Sequence, residues 1–121
     1  SGTARSWTTA RPDSMRYYLF TTTPALAREA AAAGIDALVV DLERRGKRQR
    51  QHGYDFEINT QGVREVRRLV QAVSLPVLVR INPPGPRTRE EIRRAVDAGA
   101  SEIMLPMARR ADEVARFVDL V

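Results

Sequence analysis

The chain has 121 residues, of which 43% are hydrophobic, and its net charge is +5. This length suits one domain or part of one, and the lack of cysteine excludes disulfides, zinc–thiolate sites and thiol nucleophiles. No apolar run approaches 18 residues, so we predict a cytoplasmic protein with neither a membrane span nor a secretory leader.

The apolar pattern divides most of the chain into four strand–helix units. Residues 1–15 are polar and lack periodicity, so we predict a flexible N-terminal arm before a domain that spans 16–121. The strands are predicted at 16–21, 38–42, 76–81 and 103–106. The helices are predicted at 25–33, at 60–73, from 88 onward and at 111–121.

Two stretches of the sequence, 65 residues apart, follow one plan. Residues 23–41 and 88–106 each begin with a threonine cap and continue through a helix to an Ala-Gly pair, a polar step and a short apolar strand. A helix that ends on glycine and leads into a wholly apolar strand is typical of a parallel sheet buried on both faces. The repeat therefore predicts an α/β fold, either a TIM-type (β/α) barrel or an open α/β layer.

The number of units is half of what a closed barrel requires. An eight-stranded barrel typically needs about 250 residues, so the chain is predicted to be a fragment of such a barrel or a half barrel. Two copies could cover each other's open edges, and we expect a homo-oligomer. A hypothesis from another functional class is a non-catalytic half-barrel module that assembles with a second copy or a complementing domain.

Local motifs predict the ends and faces of the helices. Thr23 and Pro24 are predicted to be the N-cap and the first residue of the first helix. Thr88 and Glu91 have the spacing of a capping box. The buried face of the second helix is predicted to consist of Val63, Val66, Leu69, Val70 and Val73. The buried face of the last helix is predicted to consist of Val114, Phe117, Val118 and Val121.

Charged residues directly follow the second and third strands, where a parallel α/β fold places its ligand. Arg80 offers a planar, always-charged fork that suits a carboxylate or an enolate. An internal salt bridge to Asp41 or Glu43 is the alternative role for Arg80, and both roles can hold at once. Asp41 and Glu43 are two positions apart and point to the same side of a strand. There they can orient a water or a metal, or hold Arg80 and Lys47 in place.

A basic cluster follows these carboxylates and consists of Arg44, Arg45, Lys47, Arg48 and Arg50. It could contact the phosphate or carboxylate groups of a substrate, acidic residues of a neighbouring subunit, or nucleic acid. The cluster lacks interleaved aromatic residues and any nucleic-acid-binding motif, so nucleic acid is the minor interpretation. His52 is the one histidine, and it is either a general base near neutral pH or a solvated loop residue.

Four motifs occur in order along the chain: Asp41-Leu42-Glu43, Pro76-Val77-Leu78-Val79-Arg80-Ile81-Asn82, Asp97-Ala98-Gly99-Ala100 and Ile103-Met104-Leu105-Pro106-Met107. In this order they resemble the HpcH/HpaI aldolase and citrate lyase β-subunit family over roughly residues 17–121. The resemblance implies a (β/α)₈ barrel of the phosphoenolpyruvate/pyruvate superfamily. Such enzymes make or break a carbon–carbon bond next to a pyruvate-like or acyl-coenzyme-A enolate, with Mg²⁺ or another divalent ion.

The resemblance also implies roles for individual residues. Arg80 matches the family arginine that grips the keto-acid carboxylate and the developing enolate, and Asp41 and Glu43 match the acidic segment of the second strand. A fixed guanidinium stabilises an enolate more in the transition state than in the ground state. The predicted catalytic residues are Arg80, Asp41 and Glu43. The predicted substrate-binding residues are Arg80, Arg45, Lys47 and Pro106.

Two departures from the family pattern limit what the resemblance implies. Arg44 stands where the aldolases have a histidine and the citrate-lyase-like members have an aspartate, so the general base stays unidentified. The family's metal-binding glutamate and aspartate belong to the two strands that follow, beyond Val121, so no metal ligand is predicted within this chain. We expect a metal-dependent carbon–carbon lyase for a 2-keto acid or acyl-coenzyme-A substrate, and no aldolase activity from residues 1–121 alone.

Overall fold

The computed structural model describes residues 14–42 and 55–120, with side chains for 14–42 and 60–120. Predictions for residues 1–13, for the basic segment 43–54 and for Val121 lie outside these residues. The strands are β1 (Tyr18–Phe20), β2 (Ala37–Asp41), β3 (Val77–Arg80) and β4 (Glu102–Met104). The helices are α1 (Pro24–Ala33), α2 (Asp55–Ala72), α3 (Thr88–Asp97) and α4 (Ala111–Leu120).

The four strands form one parallel sheet in the order β1-β2-β3-β4. Each β–α–β connection therefore joins neighbouring strands, and the right-handed rule for such connections places their helices on one face of the sheet. The helices pack against each other in chain order, α1 on α2, α2 on α3 and α3 on α4. A doubly wound open sheet would instead reverse its strand order. The predicted α/β fold with consecutive TIM-type barrel units is confirmed.

The hydrophobic core lies between the sheet and the helices. Its fully buried members on the strands and helices include Leu38, Val40, Val77, Val79, Val66, Leu69 and Ala95. The central strands β2 and β3 are buried on both faces, but the outer strands are not, since Phe20 is 59% exposed and Met104 is 43% exposed. The prediction of burial on both faces is therefore wrong for β1 and β4, which are the outer strands of the described sheet and have a neighbouring strand on one side only.

Helix α2 begins at Asp55, five residues before the predicted start at Thr60. The predicted buried face is confirmed: Val66 and Leu69 are fully buried, and the other three valines pack partly buried against the core.

No helix in the described part of the chain combines the length and apolarity that a membrane span requires.

Helix α4 buries less of its surface than the apolar pattern predicts. Phe117 packs against the core as predicted, and so does Leu120. Val114 and Val118 are 46% and 62% exposed, so their predicted burial is wrong. These two valines are four residues apart and form a ridge of their own. No element of residues 14–42 or 55–120 covers that ridge.

The two repeated units end their helices in the same way. Gly34 (φ 105°) and Gly99 (φ 107°) lie directly after α1 and after the end of α3. In each case the glycine N–H donates to a carbonyl three residues back, and the next N–H donates to a carbonyl five residues back, at 3.0–3.2 Å. This double hydrogen bond is the Schellman motif, which requires a left-handed residue at the glycine position. The Ala-Gly pair of the sequence repeat therefore encodes a shared helix stop.

Alanine at the two glycines should have unequal effects on stability. A left-handed alanine costs about 1 kcal/mol, and at Gly34 an added Cβ meets nothing within 4 Å. At Gly99 the Cβ would lie 3.0 Å from Val70 Cγ1, so we expect Gly99→Ala to cost about 2–3 kcal/mol. Urea unfolding of both variants measures the difference. Adding Val70→Ala to Gly99→Ala should recover part of the additional stability that Gly99→Ala loses relative to Gly34→Ala. Equal losses of stability in the two glycine variants would contradict a packing cause.

Candidate active site

The face of the sheet turned away from the helices, the inner face, carries the polar side chains of the strands. Alternation along the strands assigns to it Tyr18, Phe20, Ala37, Val39, Asp41, Leu78, Arg80, Glu102 and Met104. The parallel register sets Asp41 beside Arg80 and Arg80 beside Met104. These three residues form the row nearest the carboxyl ends of the strands. The two charged residues belong to the central strands, whose backbone is buried and paired on both sides.

Asp41 and Arg80 form a two-point ion pair. Arg80 Nε donates to Asp41 Oδ1 at 3.1 Å, and Arg80 Nη2 donates to Asp41 Oδ2. The side chain of Arg80 is 33% exposed and that of Asp41 is 15% exposed. The internal salt bridge predicted as one role for Arg80 is therefore present. A third of the arginine side chain still reaches solvent at the carboxyl edge of the sheet.

The ion pair orients the guanidinium and offsets its charge. Two parallel hydrogen bonds hold the guanidinium in the plane of the carboxylate, which is a stronger constraint than a single contact. Because Asp41 balances the charge of Arg80 locally, an anion would be bound by directed N–H donors more than by net positive charge. Such a geometry favours a planar carboxylate or an enolate over a spherical anion.

The loop after β3 is held by two buried polar side chains of α3. Glu91 Oε1 accepts a hydrogen bond from the Asn82 N–H at 2.9 Å, and Thr88 Oγ1 accepts one from the Gly85 N–H at 2.9 Å. The predicted capping box is wrong, because Arg87 is the N-cap and no side chain caps α3. Thr88 and Glu91 bind the preceding loop in place of the first N–H groups of their own helix.

Two further features of the carboxyl edge were not predicted from the sequence. The side-chain oxygen Oδ1 of Asn82 is buried, and no described group donates to it. Met107, directly after Pro106, has a φ of 55°, an uncommon conformation for a residue other than glycine. Pro106 itself is half-buried just beyond β4. Unpaired buried acceptors and left-handed residues occur often at functional sites.

The opposite end of the inner face carries a contact between the two outer strands. The Tyr18 hydroxyl donates to Glu102, with Oε2 at 3.2 Å, although β1 and β4 are separated by two strands. In a flat sheet these strands would lie roughly 14 Å apart, so the bond indicates that the sheet curves toward its inner face. The Arg16 guanidinium carbon lies 5.7 Å from the centroid of the Tyr18 ring.

A cleft of about 380 Å³ opens between the loop after β3 and helix α4, and neither Asp41 nor Arg80 lines it. On its charged rim, Arg110 Nε contacts Asp112 Oδ1 at 2.9 Å and Arg110 Nη2 contacts Glu113 Oε2 at 4.0 Å, and Arg116 lines the cleft as well. The Arg109 backbone N–H, which donates to Glu113 at 2.7 Å, is the main cause of a lowered pKa for that carboxyl. We place the candidate site at the inner face because the orienting ion pair lies there.

Comparison with known families decides the assignment. The sequence profile described as HpcH/HpaI aldolase/citrate lyase matches residues 15–121. The chain belongs to this family. The resemblance drawn from the sequence motifs is therefore confirmed. No curated protein is a significant match to the sequence.

Solved structures agree with the family and with the fold. An HpcH/HpaI aldolase from Desulfitobacterium hafniense DCB-2 is similar at 27% identity and a TM-score of 0.63, over 87% of this chain and 36% of that one. A protein named as a phosphonomutase from Burkholderia cenocepacia J2315 shares 26% identity with a TM-score of 0.61, over 87% and 46% of the two chains. A phosphonopyruvate hydrolase in complex with oxalate and Mg²⁺ has 16% identity and a TM-score of 0.64. It shares the fold over 98% of this chain and 45% of its own. The chain thus spans less than half the length of each.

Within this HpcH/HpaI family chain, the structure brings together two of the predicted site residues, Arg80 and Asp41. Glu43, Arg45, Lys47 and His52 lie outside the described residues, and their roles stay predictions. The described residues contain no group of three or more His, Cys, Asp or Glu side chains that could hold a metal ion. Both carboxylate oxygens of Asp41 are engaged by Arg80. The described part of the chain therefore does not fit a divalent metal site.

Proposed function

We propose that this chain forms the carboxylate-binding part of a carbon–carbon lyase that acts on a 2-keto acid or an acyl-coenzyme-A substrate through an enolate. The observation that carries the proposal is the Asp41–Arg80 ion pair at the carboxyl edge of β2 and β3. The family membership and the 27% identical aldolase support the reaction class. The oxalate named with the phosphonopyruvate hydrolase supports a planar dicarboxylate or enolate as the ligand shape.

The proposed role of Arg80 follows from where negative charge develops. Breaking the carbon–carbon bond next to a keto group leaves an electron pair that moves onto the carbonyl oxygen, and an enolate forms. A guanidinium already fixed by Asp41 needs little reorganisation to donate hydrogen bonds to that oxygen or to the adjacent carboxylate. Asp41 acts through Arg80, and it is a positioning residue in this proposal.

A divalent ion enters the proposal only through the family and through the magnesium named with one structural neighbour. No described cluster of carboxylates offers it a site, so the proposed chemistry is confined to Arg80 and Asp41. The basic residues Arg45 and Lys47 are proposed to bind phosphate or carboxylate groups of a larger substrate. Homo-oligomerisation is proposed as well, with the exposed ridge of Val114 and Val118 as apolar surface available for association.

Enolate formation can be measured without knowing the natural substrate. We expect the full-length protein to catalyse exchange of the methyl protons of pyruvate with D₂O, because pyruvate is the smallest 2-keto acid that can form an enolate. Proton NMR follows the loss of the methyl signal, with Mg²⁺ or Mn²⁺ added and with a chelator as the comparison. Exchange no faster than in buffer under all metal conditions would count against the lyase proposal and favour the non-catalytic module.

A further inference from the structure

Thr88 and Glu91 combine deep burial with contacts that serve a loop. Their residues are 6% and 7% exposed, and they are the only buried polar or charged residues in the described part of the chain. The Glu91 carboxylate accepts from the Asn82 N–H at 2.9 Å, and the Thr88 hydroxyl accepts from the Gly85 N–H at 2.9 Å. Burying a carboxylate is costly unless it is hydrogen-bonded, so this contact is the physical reason that Glu91 is tolerated there.

The loop held in this way begins two residues after Arg80. On the β4 side, the Ile81 N–H donates to the Met104 carbonyl at 3.1 Å. On the helix side, Glu91 holds the N–H of the next residue, Asn82. The backbone that leaves Arg80 is therefore fixed from two directions, by the neighbouring strand and by α3. Three prolines follow at positions 83, 84 and 86, and they lack N–H groups with which the loop could fix itself.

We propose that Thr88 and Glu91 form a clamp that positions Arg80 for its ligand by fixing the backbone of residues 82–85. This inference rests on the function proposed above, since it assumes that Arg80 contacts the ligand. Thr88 and Glu91 do not touch the ligand in this proposal and are positioning residues. A displacement of about 1 Å in a binding group can reduce a rate by about a hundredfold, so a released loop would be costly for function.

Three variants and a control test the clamp in the full-length protein. Glu91→Ala removes the acceptor, whereas Glu91→Gln keeps an acceptor oxygen at the same distance along the side chain. Thr88→Val removes the hydroxyl at nearly constant shape. Glu90→Gln is the control, because Glu90 neighbours Glu91 on α3 but takes no part in the clamp. The Glu90 side chain is 51% exposed, and its ion pair is with Arg93.

The first readout is hydrogen exchange at two backbone amides. We expect the Asn82 amide to exchange at least about tenfold faster in Glu91→Ala, and the Gly85 amide to do so in Thr88→Val, because each loses one hydrogen bond. Glu91→Gln and the control should stay within about threefold of the wild type. Unchanged exchange at Asn82 in Glu91→Ala would overturn the clamp.

The second readout is the dissociation constant of oxalate, measured by calorimetry together with the melting temperature. We expect Glu91→Ala to weaken oxalate binding about tenfold or more, and Glu91→Gln to restore it. If Glu91→Ala lowers the melting temperature yet binds oxalate like the control, the positioning role is overturned and Glu91 is structural only. Should Glu91→Ala fail to fold, Thr88→Val decides by the same criteria. Failure of the wild type to bind oxalate would reject the proposed function, while amide exchange would still report on the clamp.

Discussion

Replacing Arg80 with alanine should lower enolate formation about 10²–10³-fold, the loss typical of removing one donor to a developing oxyanion. Arg80→Lys should lose most of this activity as well, because an ammonium cannot reproduce the planar fork that pairs with Asp41 at two points. The rate of pyruvate proton exchange in the full-length protein measures both effects. The loss in kcat reports the contact with the enolate oxygen, whose charge develops after pyruvate has bound, and a rise in KM reports the contact with the substrate carboxylate.

The matched control for Arg80 is Arg93→Ala. Arg93 is an arginine on α3 whose side chain is 70% exposed and pairs with Glu90 at 3.2 Å. Surface substitutions of this kind usually change stability by less than about 0.5 kcal/mol, and we expect its exchange rate to match the wild type. The exchange rate of Asp41→Asn should lie between those of Arg80→Ala and Arg93→Ala, because an amide oxygen still accepts one hydrogen bond from Arg80. An Arg80→Ala protein that exchanges pyruvate protons at the control rate would remove Arg80 from the mechanism.

The largest expected loss of stability is from Leu38→Ala, at about 2–5 kcal/mol in the free energy of unfolding. Leu38 is fully buried in the core between β2 and the helices. Its removal leaves a cavity that the central strand cannot close, because β2 is paired with β1 on one side and β3 on the other. Urea unfolding monitored by circular dichroism measures the change.

Leu26→Ala on α1 makes the same chemical change at a site that is 44% exposed. We expect it to cost less than about 1 kcal/mol, because little buried surface is lost and alanine favours the helix. Equal losses of stability in the two leucine variants would contradict the burial of Leu38 in the centre of the core.

The architecture was largely predictable because its signals are local. Each strand is a short apolar run, and each of the two repeated units marks its helix stop with an Ala-Gly pair. The predicted start of α2 was wrong because the apolar positions that defined the helix begin only at Val63, whereas the helix already includes Asp55. The burial of Val114 and Val118 was overpredicted, because an apolar stripe on a helix does not reveal whether a neighbour is present to cover it.

The candidate site was only partly predictable. The pairing of Asp41 with Arg80 could be expected, since both end buried strands and opposite charges at one edge attract. The clamp could not be predicted from the sequence, because the spacing of Thr88 and Glu91 matches a capping box. Only the path of the loop determines that these side chains bind Asn82 and Gly85. The Tyr18–Glu102 contact depends on the curvature of the whole sheet, which no local pattern encodes.

The most direct measurement is an NMR titration of the arginine side-chain Nε–H signals in the full-length protein with oxalate, in the presence of Mg²⁺. We predict a saturable shift of the Arg80 signal, and no shift at Arg110 or Arg116, which line the separate cleft. Saturable shifts at Arg110 or Arg116 with an unchanged Arg80 signal would place the anion elsewhere and contradict the assignment of the active site to the inner face.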